Sequence, residues 1–351
     1  MRTWEGEAVS DDLENEPAGM PSDGITIGGS IPWLTVALLI EAEDLDPDEI
    51  TRLLNIEPDQ VQRKGVALLP HDGQPRRVPW MGTWSISLRP EQAPGCDADN
   101  AIAKLLDRIN VSLPAWHSAL AGARARIYLG LALDDFNRGF GFDPLLLRRM
   151  ADLGVLVDVD IHSGEGVAEA ARATGTSLSR ILNGGPWPEG AGCPPRWPIG
   201  KPPAETSAGP IRWSRVSLSI YADDLDPDRI SRLLGIEPDL EQRKGVPMPP
   251  TRKGRPGRIP GIGMWSIRLY SEEAPGCDLE TAITEVLNLI TVPDETWQEA
   301  RSGTTARIFA KLDLDKPGLG FRLSSALIGR AAGLDISLDF DVYYDIDDET
   351  G

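Results

Sequence analysis

The sequence predicts an α+β protein made of two tandem copies of one domain, each of roughly 130 residues. Three features support this prediction: a long internal repeat, segments in which apolar and polar residues alternate, and short amphipathic segments that begin at helix-capping residues. The chain has 351 residues, of which 41% are hydrophobic and 25% are charged, so it is long enough and apolar enough to bury the cores of two domains.

The repeat is most distinct where residues 42–65 are compared with residues 222–245. The first segment reads AEDLDPDEITRLLNIEPDQVQRKG, the second reads ADDLDPDRISRLLGIEPDLEQRKG, and 18 of the 24 positions are identical. Further along, the spacing is 181 residues instead of 180, so that Trp84 corresponds to Trp265. A repeat of this length marks a complete structural unit.

The repeat predicts two folded units, over residues 30–162 and 211–345. Residues 163–210 are rich in proline and glycine, so we interpret them as a linker between two independently folded lobes. Residues 1–29 are expected to form an acidic, disordered N-terminus, and residues 346–351 an acidic tail.

In the second copy, four segments alternate apolar and polar residues with the period of two that is typical of strands. They cover residues 216–222, 264–270, 307–314 and 336–343. Three amphipathic segments between them predict helices, which begin after the capping residues Asp226 and Asp278 and at Ser324. Helices packed on one face of an antiparallel or mixed sheet predict a ferredoxin-like arrangement in each copy.

The net charge of −19 is concentrated at the two ends of the chain. Residues 1–30 contain seven acids and one arginine, and residues 335–351 contain seven acids and no base, so the ends supply 13 of the 19 negative charges. Acidic ends keep a protein soluble, and they also steer a basic partner through long-range electrostatics. Both interpretations stay open.

Cysteine and histidine are scarce. The chain has three of each, none at a metal-ligand spacing, and all three histidines lie in the first half. The sequence also shows no apolar stretch long enough to cross a bilayer and no apolar block like that of a signal peptide. We therefore expect a cytoplasmic protein that uses no cofactor and no metal and does not enter a membrane.

Two basic turns are the first candidate binding site. The tetrapeptide QRKG occurs once in each copy and contains Arg63 and Lys64 in the first copy and Arg243 and Lys244 in the second. Paired cations beside a glycine suit an anion or a carboxylate. The alternative, which the shortness of the motif favours, is a turn with solvated charges.

The loop that follows this turn in the second copy adds four bases. They are Arg252, Lys253, Arg255 and Arg258. Such a patch could bind phosphate groups, but a nucleic-acid-binding protein has basic character over a whole face, whereas this chain is acidic overall. Nucleic acid is therefore not the expected partner.

The second candidate site is an Asp-x-Asp pair near the end of each copy, Asp158 with Asp160 and Asp339 with Asp341. Alternate residues of a strand point to the same face, so each pair places two carboxylates side by side. Mg²⁺ or Ca²⁺ would require more oxygen ligands than this motif supplies, and we favour an acidic, exposed face of the sheet. No sequence motif of a known catalytic class accompanies these residues.

The motifs D-P-x-x-I-[ST]-x-L-L-x-I-x-P, R-K-G, G-x-W-S and D-x-D follow one another in both copies and resemble the domain-of-unknown-function family 4279. In this sequence they are Asp46–Pro58, Arg63–Gly65, Trp84 and Asp158/Asp160, then Asp226–Pro238, Arg243–Gly245, Trp265 and Asp339/Asp341. The resemblance implies no established activity. Some small bacterial members look like immunity proteins of contact-dependent or polymorphic toxin systems, which implies a protein partner.

Together these observations predict a non-enzymatic, two-lobed binding protein. Its most specific form is an immunity-type inhibitor whose acidic surface covers a basic bacterial toxin, since opposite charges speed association. The alternative is a small-anion or metal-dependent sensor or enzyme that uses the Arg-Lys-Gly turns and the Asp-x-Asp strands. Trp84 and Trp265 are expected to be core residues, with a ligand-stacking role as the alternative.

Overall fold

The computed structural model of the chain describes residues 33–67, 78–88, 97–133, 137–163, 211–250, 257–274, 277–314 and 319–344. Residues 1–29, 164–210 and 346–351, which contain the predicted N-terminus, linker and tail, lie outside these described residues. None of the helices in the described ranges is long and apolar enough to span a membrane.

The described part of the first copy contains six strands and four helices. In chain order they are β1 (Trp33–Ala42), α1 (Pro47–Leu54), β2 (Gln60–Gln62), β3 (Gly82–Leu88), α2 (Ala98–Asp107), α3 (Leu113–Ala119), β4 (Arg124–Leu133), β5 (Asn137–Phe142), α4 (Pro144–Asp152) and β6 (Leu156–Ser163).

The second copy repeats these elements in the same order. They are β7 (Arg212–Ala222), α5 (Pro227–Leu234), β8 (Leu240–Gln242), β9 (Gly263–Tyr270), α6 (Leu279–Asn288), α7 (Asp294–Arg301), β10 (Thr305–Leu314), β11 (Leu319–Leu323), α8 (Ser325–Gly333) and β12 (Ser337–Tyr344).

All four strands and all three helices predicted for the second copy are present. Asp278 caps α6 by accepting a hydrogen bond from the N–H of Thr281 (2.7 Å). Asp226 stands at the N-cap of α5 without a capping hydrogen bond from its side chain, and its carboxylate accepts from Arg243 (2.9 Å). The sequence patterns missed β8, β11 and α7, since the two strands are short and α7 buries only Trp297 and Ala300.

Each copy supplies most of one six-stranded mixed sheet. The strand orders are β11-β6-β4-β1-β3-β2 and β5-β12-β10-β7-β9-β8. Neighbouring strands are antiparallel except β4 with β6 and β10 with β12, which are parallel. The fold is therefore α+β with two domains, as predicted, and the ferredoxin-like arrangement stays a prediction.

The two sheets exchange one edge strand. β5 of the first copy pairs with β12, and β11 of the second copy pairs with β6. Helices α4 and α8 of the two copies pack against one another, and one continuous core contains residues of both. The expectation of two lobes that each contain all their own strands is therefore wrong. A sequence repeat gives the length of a unit but not the partner with which each strand pairs.

Phenylalanines join the exchanged strands. Phe140 of β5 and Phe321 of β11 are equivalent in the two copies, and their ring centroids lie 6.4 Å apart. Phe340 of β12 lies 5.0 Å from each of them, and Phe142 lies 5.9 Å from Phe340. Aromatic pairs of this kind contribute on the order of 1 kcal/mol each beyond the apolar area they bury. The exchange is thus held by side-chain packing as well as by strand pairing.

Each sheet has an apolar face toward the helices and, on the opposite side, a polar face. In β1, the core residues Val36, Leu38 and Ile40 are fully buried, and α2 packs on this strand. The polar face carries the Asp-x-Asp pairs, because strand residues alternate between the two faces. Asp158 is only 8% exposed and Asp341 only 1% exposed, so the predicted exposed acidic face is wrong for these two residues.

Candidate functional site

The Arg-Lys-Gly turn of the first copy is held by acids from the β1–α1 connection. Those acids are Glu43, Asp44, Asp46 and Asp48. Arg63 Nη1 lies 3.0 Å from Asp46 Oδ1, and Lys64 Nζ lies 2.6 Å from Glu43 Oε1. Gly65 has φ 75°, a left-handed conformation that suits glycine, and its N–H donates to the carbonyl of Pro79. Both cations are therefore bound by the protein's own carboxylates.

The second copy repeats this arrangement. Arg243 lies 2.9 Å from Asp226 and 2.8 Å from Asp228, and Lys244 binds Asp223. Hydrogen bonding to Asp226 raises the pKa of Arg243, while the pKa of Asp226 is lowered. In the first copy four acids bind two bases, so that turn presents excess negative charge. In the second copy Arg232 also pairs with Asp226, so three acids are matched by three bases. The predicted anion site has no support from this geometry.

The basic loop of the second copy is only partly described. Arg252, Lys253 and Arg255 lie outside the described residues. Arg258 donates a hydrogen bond to the side-chain oxygen of Gln242 (3.2 Å), which ties the loop to β8.

The polar face of the first sheet holds a buried ion network. Arg126 of β4 donates twice to Glu41 of β1, with both distances 3.0 Å, and also to Asp158 of β6 (2.9 Å). The other oxygen of Asp158 accepts from Arg322 (2.7 Å), which comes from the exchanged strand β11. The network alternates acid and base across four strands and both copies, and this neutralises charges that are costly to bury.

Asp160, the other member of this pair, accepts a hydrogen bond from the hydroxyl of Tyr128 (3.3 Å). Burial and the Asp160 carboxylate raise the pKa of Tyr128, so its hydroxyl keeps the proton that it donates. The first Asp-x-Asp pair is thus used within the fold.

The polar face of the second sheet has different side chains at the same positions. Tyr221 replaces Glu41, and the Arg307 guanidinium lies over its ring, 4.8 Å from the centroid. Arg307 also contacts Asp339 at 3.4 Å, a longer distance than in the first copy. In the first sheet, Arg322 of the exchanged strand β11 pairs with Asp158. In the second sheet, Gly141 of the exchanged strand β5 pairs with Asp339, so the exchanged residue at this position is a glycine.

Asp341 is the exceptional residue of this second face. It is 1% exposed, and its carboxylate oxygens have no close hydrogen-bond donor in the described ranges apart from the hydroxyl of the neighbouring Tyr343. Burial raises the pKa of Asp341 to about 6, although Tyr343, Lys311 and Arg215 favour the ionised form. Its counterpart Asp160 has Tyr128 as a donor, but the residue equivalent to Tyr128 is Phe309, which has no hydroxyl.

A metal centre has no support in the described part of the chain. It contains no group of three or more histidine, cysteine or acidic side chains placed to hold an ion. Asp158 is instead occupied by arginines, as described above. The metal-dependent alternative for the Asp-x-Asp strands therefore lacks a ligand set in the ranges that the structure describes.

The arginines of the polar faces were not among the predicted site residues. Arg126 and Arg307 are equivalent, and each stands in a strand whose next residue, Ile127 or Ile308, is buried in the core. Each arginine occurs at the same position in both copies and lies opposite an Asp-x-Asp strand. This combination was the sequence signal that could have identified them as site residues. The role of Trp84 and Trp265 as core residues was predicted correctly, because both are fully buried.

Exposed apolar side chains gather at the β2–β3 connection and its counterpart. In the first copy this edge patch consists of Val61, Val66, Val78 and Trp80, and in the second copy of Val246 and Ile259. These six are the majority of the nine large hydrophobic residues that are exposed in the described ranges. Each patch lies beside an Arg-Lys-Gly turn, since Gly65 bonds to Pro79 and Gly245 to Pro260.

Comparison with known proteins gives a family but no characterised relative. A family model described as Domain of unknown function (DUF4279) matches residues 33–164 and again residues 211–345. The chain belongs to this family. The two DUF4279 matches cover most of the chain and correspond to its two copies. No curated protein and no solved structure matches the sequence significantly.

Proposed function

We propose that this two-copy DUF4279 protein is a non-enzymatic binding protein whose edge patches contact a protein partner. The observation that carries the proposal is the presence of exposed apolar residues at equivalent places in both copies. Val78 is 55% exposed and its equivalent Ile259 is 67% exposed, and aromatic and aliphatic anchors that become buried are what give protein interfaces their affinity. Scattered single apolar residues are ordinary, whereas clusters are typical of interaction sites.

The charge around the patches indicates the chemistry of that partner. In the first copy the Arg-Lys-Gly turn borders the patch, and its two cations are outnumbered by the four acids that bind them. The net charge of the chain is −19. A partner with a basic rim around an apolar centre complements this surface and associates faster through electrostatic steering.

An immunity-type inhibitor of a basic toxin is the specific form of this proposal. It combines the acidic surface with the protein partner that the family resemblance implies. We place this activity in the cytoplasm, because three cysteines without disulfide-like spacing suit a reducing compartment.

Two patch variants and one matched control test the proposal. The first variant combines Val66→Ser, Val78→Ser and Trp80→Ala, and the second combines Val246→Ser and Ile259→Ser. Leu145→Ser is the control, because Leu145 is 72% exposed but lies on α4, away from both patches. Affinity purification of each tagged protein from its native cells, followed by mass spectrometry and measurement of the recovered partner's affinity, compares them.

We expect the wild type and Leu145→Ser to bind one basic protein in a salt-sensitive manner. The patch variants should bind it at least tenfold more weakly, as expected when interface anchors are truncated. Equal affinity for the patch variants would remove the patches from the function. Recovery of a bound metabolite without a protein partner would support the sensor alternative instead.

A further inference from the structure

The two exchanged strands have the same register in the sheets that receive them. Gly141 of β5 faces Asp339 of β12, and Arg322 of β11 faces Asp158 of β6. Gly141 and Arg322 are equivalent in the two copies, and so are Asp339 and Asp158. Backbone hydrogen bonding alone therefore does not distinguish a pairing of unlike copies from a pairing of two first copies or two second copies. The side chains must make that distinction.

The aromatic cluster distinguishes these pairings by size. Phe340 of β12 lies 5.0 Å, between ring centroids, from both Phe140 and Phe321, one from each exchanged strand. Its equivalent in β6 is Val159, which faces Phe321. Unlike copies thus combine one large and one small side chain at this place. Two first copies would combine two valines and leave a cavity, and two second copies would combine two phenylalanines and overfill the core.

An ion pair between the copies depends on the same combination. Arg148 of α4 lies 3.5 Å from Asp335, which follows α8. The equivalent of Arg148 is Gly329, and the equivalent of Asp335 is Gly154. Each charged residue would therefore face a glycine if like copies paired.

The buried carboxylate of Asp158 has the same requirement. One of its oxygens accepts from Arg126 (2.9 Å) and the other from Arg322 of the exchanged strand β11 (2.7 Å). If two first copies paired, the exchanged strand beside Asp158 would be β5, with Gly141 at the position of Arg322. The second oxygen would then lose its donor at a buried site, which is costly.

We propose that the exchange surface, formed by β5, β6 and α4 of one copy and by β11, β12 and α8 of the other, is a specific interface for unlike copies, and that the partner it fits in trans is the second copy of another chain of this protein. The two copies are joined in sequence by residues 164–210, and a second chain offers the same strands and side chains. Two chains then form a reciprocal dimer in which the first copy of each pairs with the second copy of the other. This interface is separate from the edge patches and does not depend on the proposed protein partner.

Protein concentration should decide between the two forms. The connection between the copies favours pairing within one chain, because it acts like a local concentration on the order of 1 mM. Refolding from denaturant at about 10 μM should therefore give monomers, and refolding at about 500 μM should also give the reciprocal dimer.

Disulfide trapping in full-length chains identifies which copies pair. The three native cysteines are replaced by serine, and each chain then receives one new cysteine. Chain X carries Arg138→Cys in β5, and chain Y carries Val342→Cys, the position that faces Arg138 in β12. Chain Z carries Ile161→Cys, the equivalent position in β6, and is matched to Y because Val342 and Ile161 are both fully buried. Facing residues of paired strands have the Cα separation that a disulfide requires.

Chain X is refolded with Y, and separately with Z, in a glutathione redox buffer, and non-reducing electrophoresis measures the cross-linked dimers. After refolding at about 500 μM, we expect X–Y dimers to exceed X–Z dimers at least tenfold, since cavities and overpacking each disfavour like copies. X–Y dimers should be nearly absent after refolding at about 10 μM, where one chain with both Arg138→Cys and Val342→Cys should cross-link within itself. Equal amounts of X–Y and X–Z, or neither product at the higher concentration, would overturn the proposal.

A change of side-chain size tests the basis of this selectivity. Val159→Phe in chain X places a large side chain in the first copy, so it should raise the ratio of X–Z to X–Y at least threefold. Adding Phe340→Val to chain Y restores one large and one small side chain, and X–Y dimers should recover. A ratio that neither change alters would remove the packing basis of the selectivity and contradict the proposal.

Discussion

The polar faces of the two sheets share one backbone arrangement but differ in how their charges are compensated. In the first copy, Arg126 is bound on both sides by carboxylates, and the exchanged Arg322 completes the network. In the second copy, Arg307 lies over an aromatic ring, and Asp341 is buried with a raised pKa. A few substitutions at equivalent positions are thus enough to replace a closed ion network with contacts between cations and aromatic rings and a buried carboxylate.

The exchanged strands contribute to this difference. Arg322 of β11 faces Asp158, and its equivalent Gly141 of β5 faces Asp339. Any side chain at Gly141 would clash with the Asp339 carboxylate. The first face is therefore completed by the second copy, whereas the second face receives only a glycine from the first.

The largest effect should come from separating the copies. Expressed alone, residues 1–190 lack β11 and residues 191–351 lack β5, so each half would expose an unpaired sheet edge and part of the shared core. We expect neither half to unfold cooperatively as a monomer in thermal unfolding followed by circular dichroism. Mixing or co-expressing the halves should restore a stable 1:1 complex.

Two monomeric halves with sharp separate transitions would contradict this prediction. They would show that the exchanged strands are dispensable and that each polar face is independent of the other copy.

Replacement of the core tryptophans tests a region in which the copies agree. Trp84 and Trp265 are fully buried, and their indole N–H groups donate to the hydroxyls of Thr51 (3.1 Å) and Ser231 (3.0 Å). Replacing either tryptophan with alanine should lower the free energy of unfolding by about 3–5 kcal/mol. Equal losses in urea unfolding would confirm that the copies diverge only on their polar faces. A loss under about 1 kcal/mol at either position would show that the indole is not a core anchor there.

Replacing the central arginine of each polar face tests whether the two faces differ in how they compensate buried charge. Arg126→Met leaves Glu41 and Asp158 buried near each other without their shared cation, so it should cost about 3–5 kcal/mol. Arg307→Met should cost less, roughly 1–3 kcal/mol, because the methionine sulfur can still contact the Tyr221 ring and the arginine's contact with Asp339 is long, at 3.4 Å. Urea unfolding of both variants measures the difference, and an equal or larger loss for Arg307→Met would refute the proposed asymmetry.

Sequence patterns predicted the α+β class, the duplication and the central elements, because each depends on local periodicity and on comparison within the chain. The strand exchange could not be predicted, since β5 has the same local sequence properties whether it pairs with β6 or with β12. The hydrogen bonding on the two polar faces could not be predicted from the sequence either. Whether Asp160 or Asp341 accepts a hydrogen bond from the neighbouring strand depends on Tyr128 or Phe309, which lie more than thirty residues away in the sequence.

The burial of Asp341 predicts a smaller effect that depends on pH. Its pKa of about 6 in the folded state exceeds its value of 3.8 in an unfolded chain, so the folded state binds this proton more tightly. The destabilisation is therefore absent below about pH 4, grows as the pH rises, and is complete above about pH 6, where it reaches about 3 kcal/mol. Asp341→Asn should stabilise the protein by up to that amount at pH 7 and by almost nothing at pH 4.

The groups around Asp341 set the control for this measurement. Lys311 and Arg215 are the cations beside Asp341, and Tyr343 and Asp313 are the other ionisable groups that face it. Asp160→Asn in the first copy controls for general acid effects, because Asp160 has a donor. A stability difference between Asp341→Asn and wild type that does not change with pH would show that Asp341 is not a buried, ionised group.

The smallest effect is expected at the Arg-Lys-Gly turns, where the two copies again agree. Arg63, Lys64, Arg243 and Lys244 are each bound by acids of the same copy, but all four lie at the surface, where ion pairs contribute little. Replacing all four with glutamine should shift the Tm by no more than about 2 °C in low salt and by less in 1 M salt, because salt screens such pairs. Gly65→Ala and Gly245→Ala should each destabilise the protein more than the quadruple variant does, since these glycines have φ of 75° and 73°.

The quadruple glutamine variant should bind the partner of the edge patches at least as tightly as the wild type, because it leaves the acids of the turns uncompensated. Weaker binding would mean that the arginines and lysines contact the partner directly, and the anion-binding interpretation of these turns would then be restored.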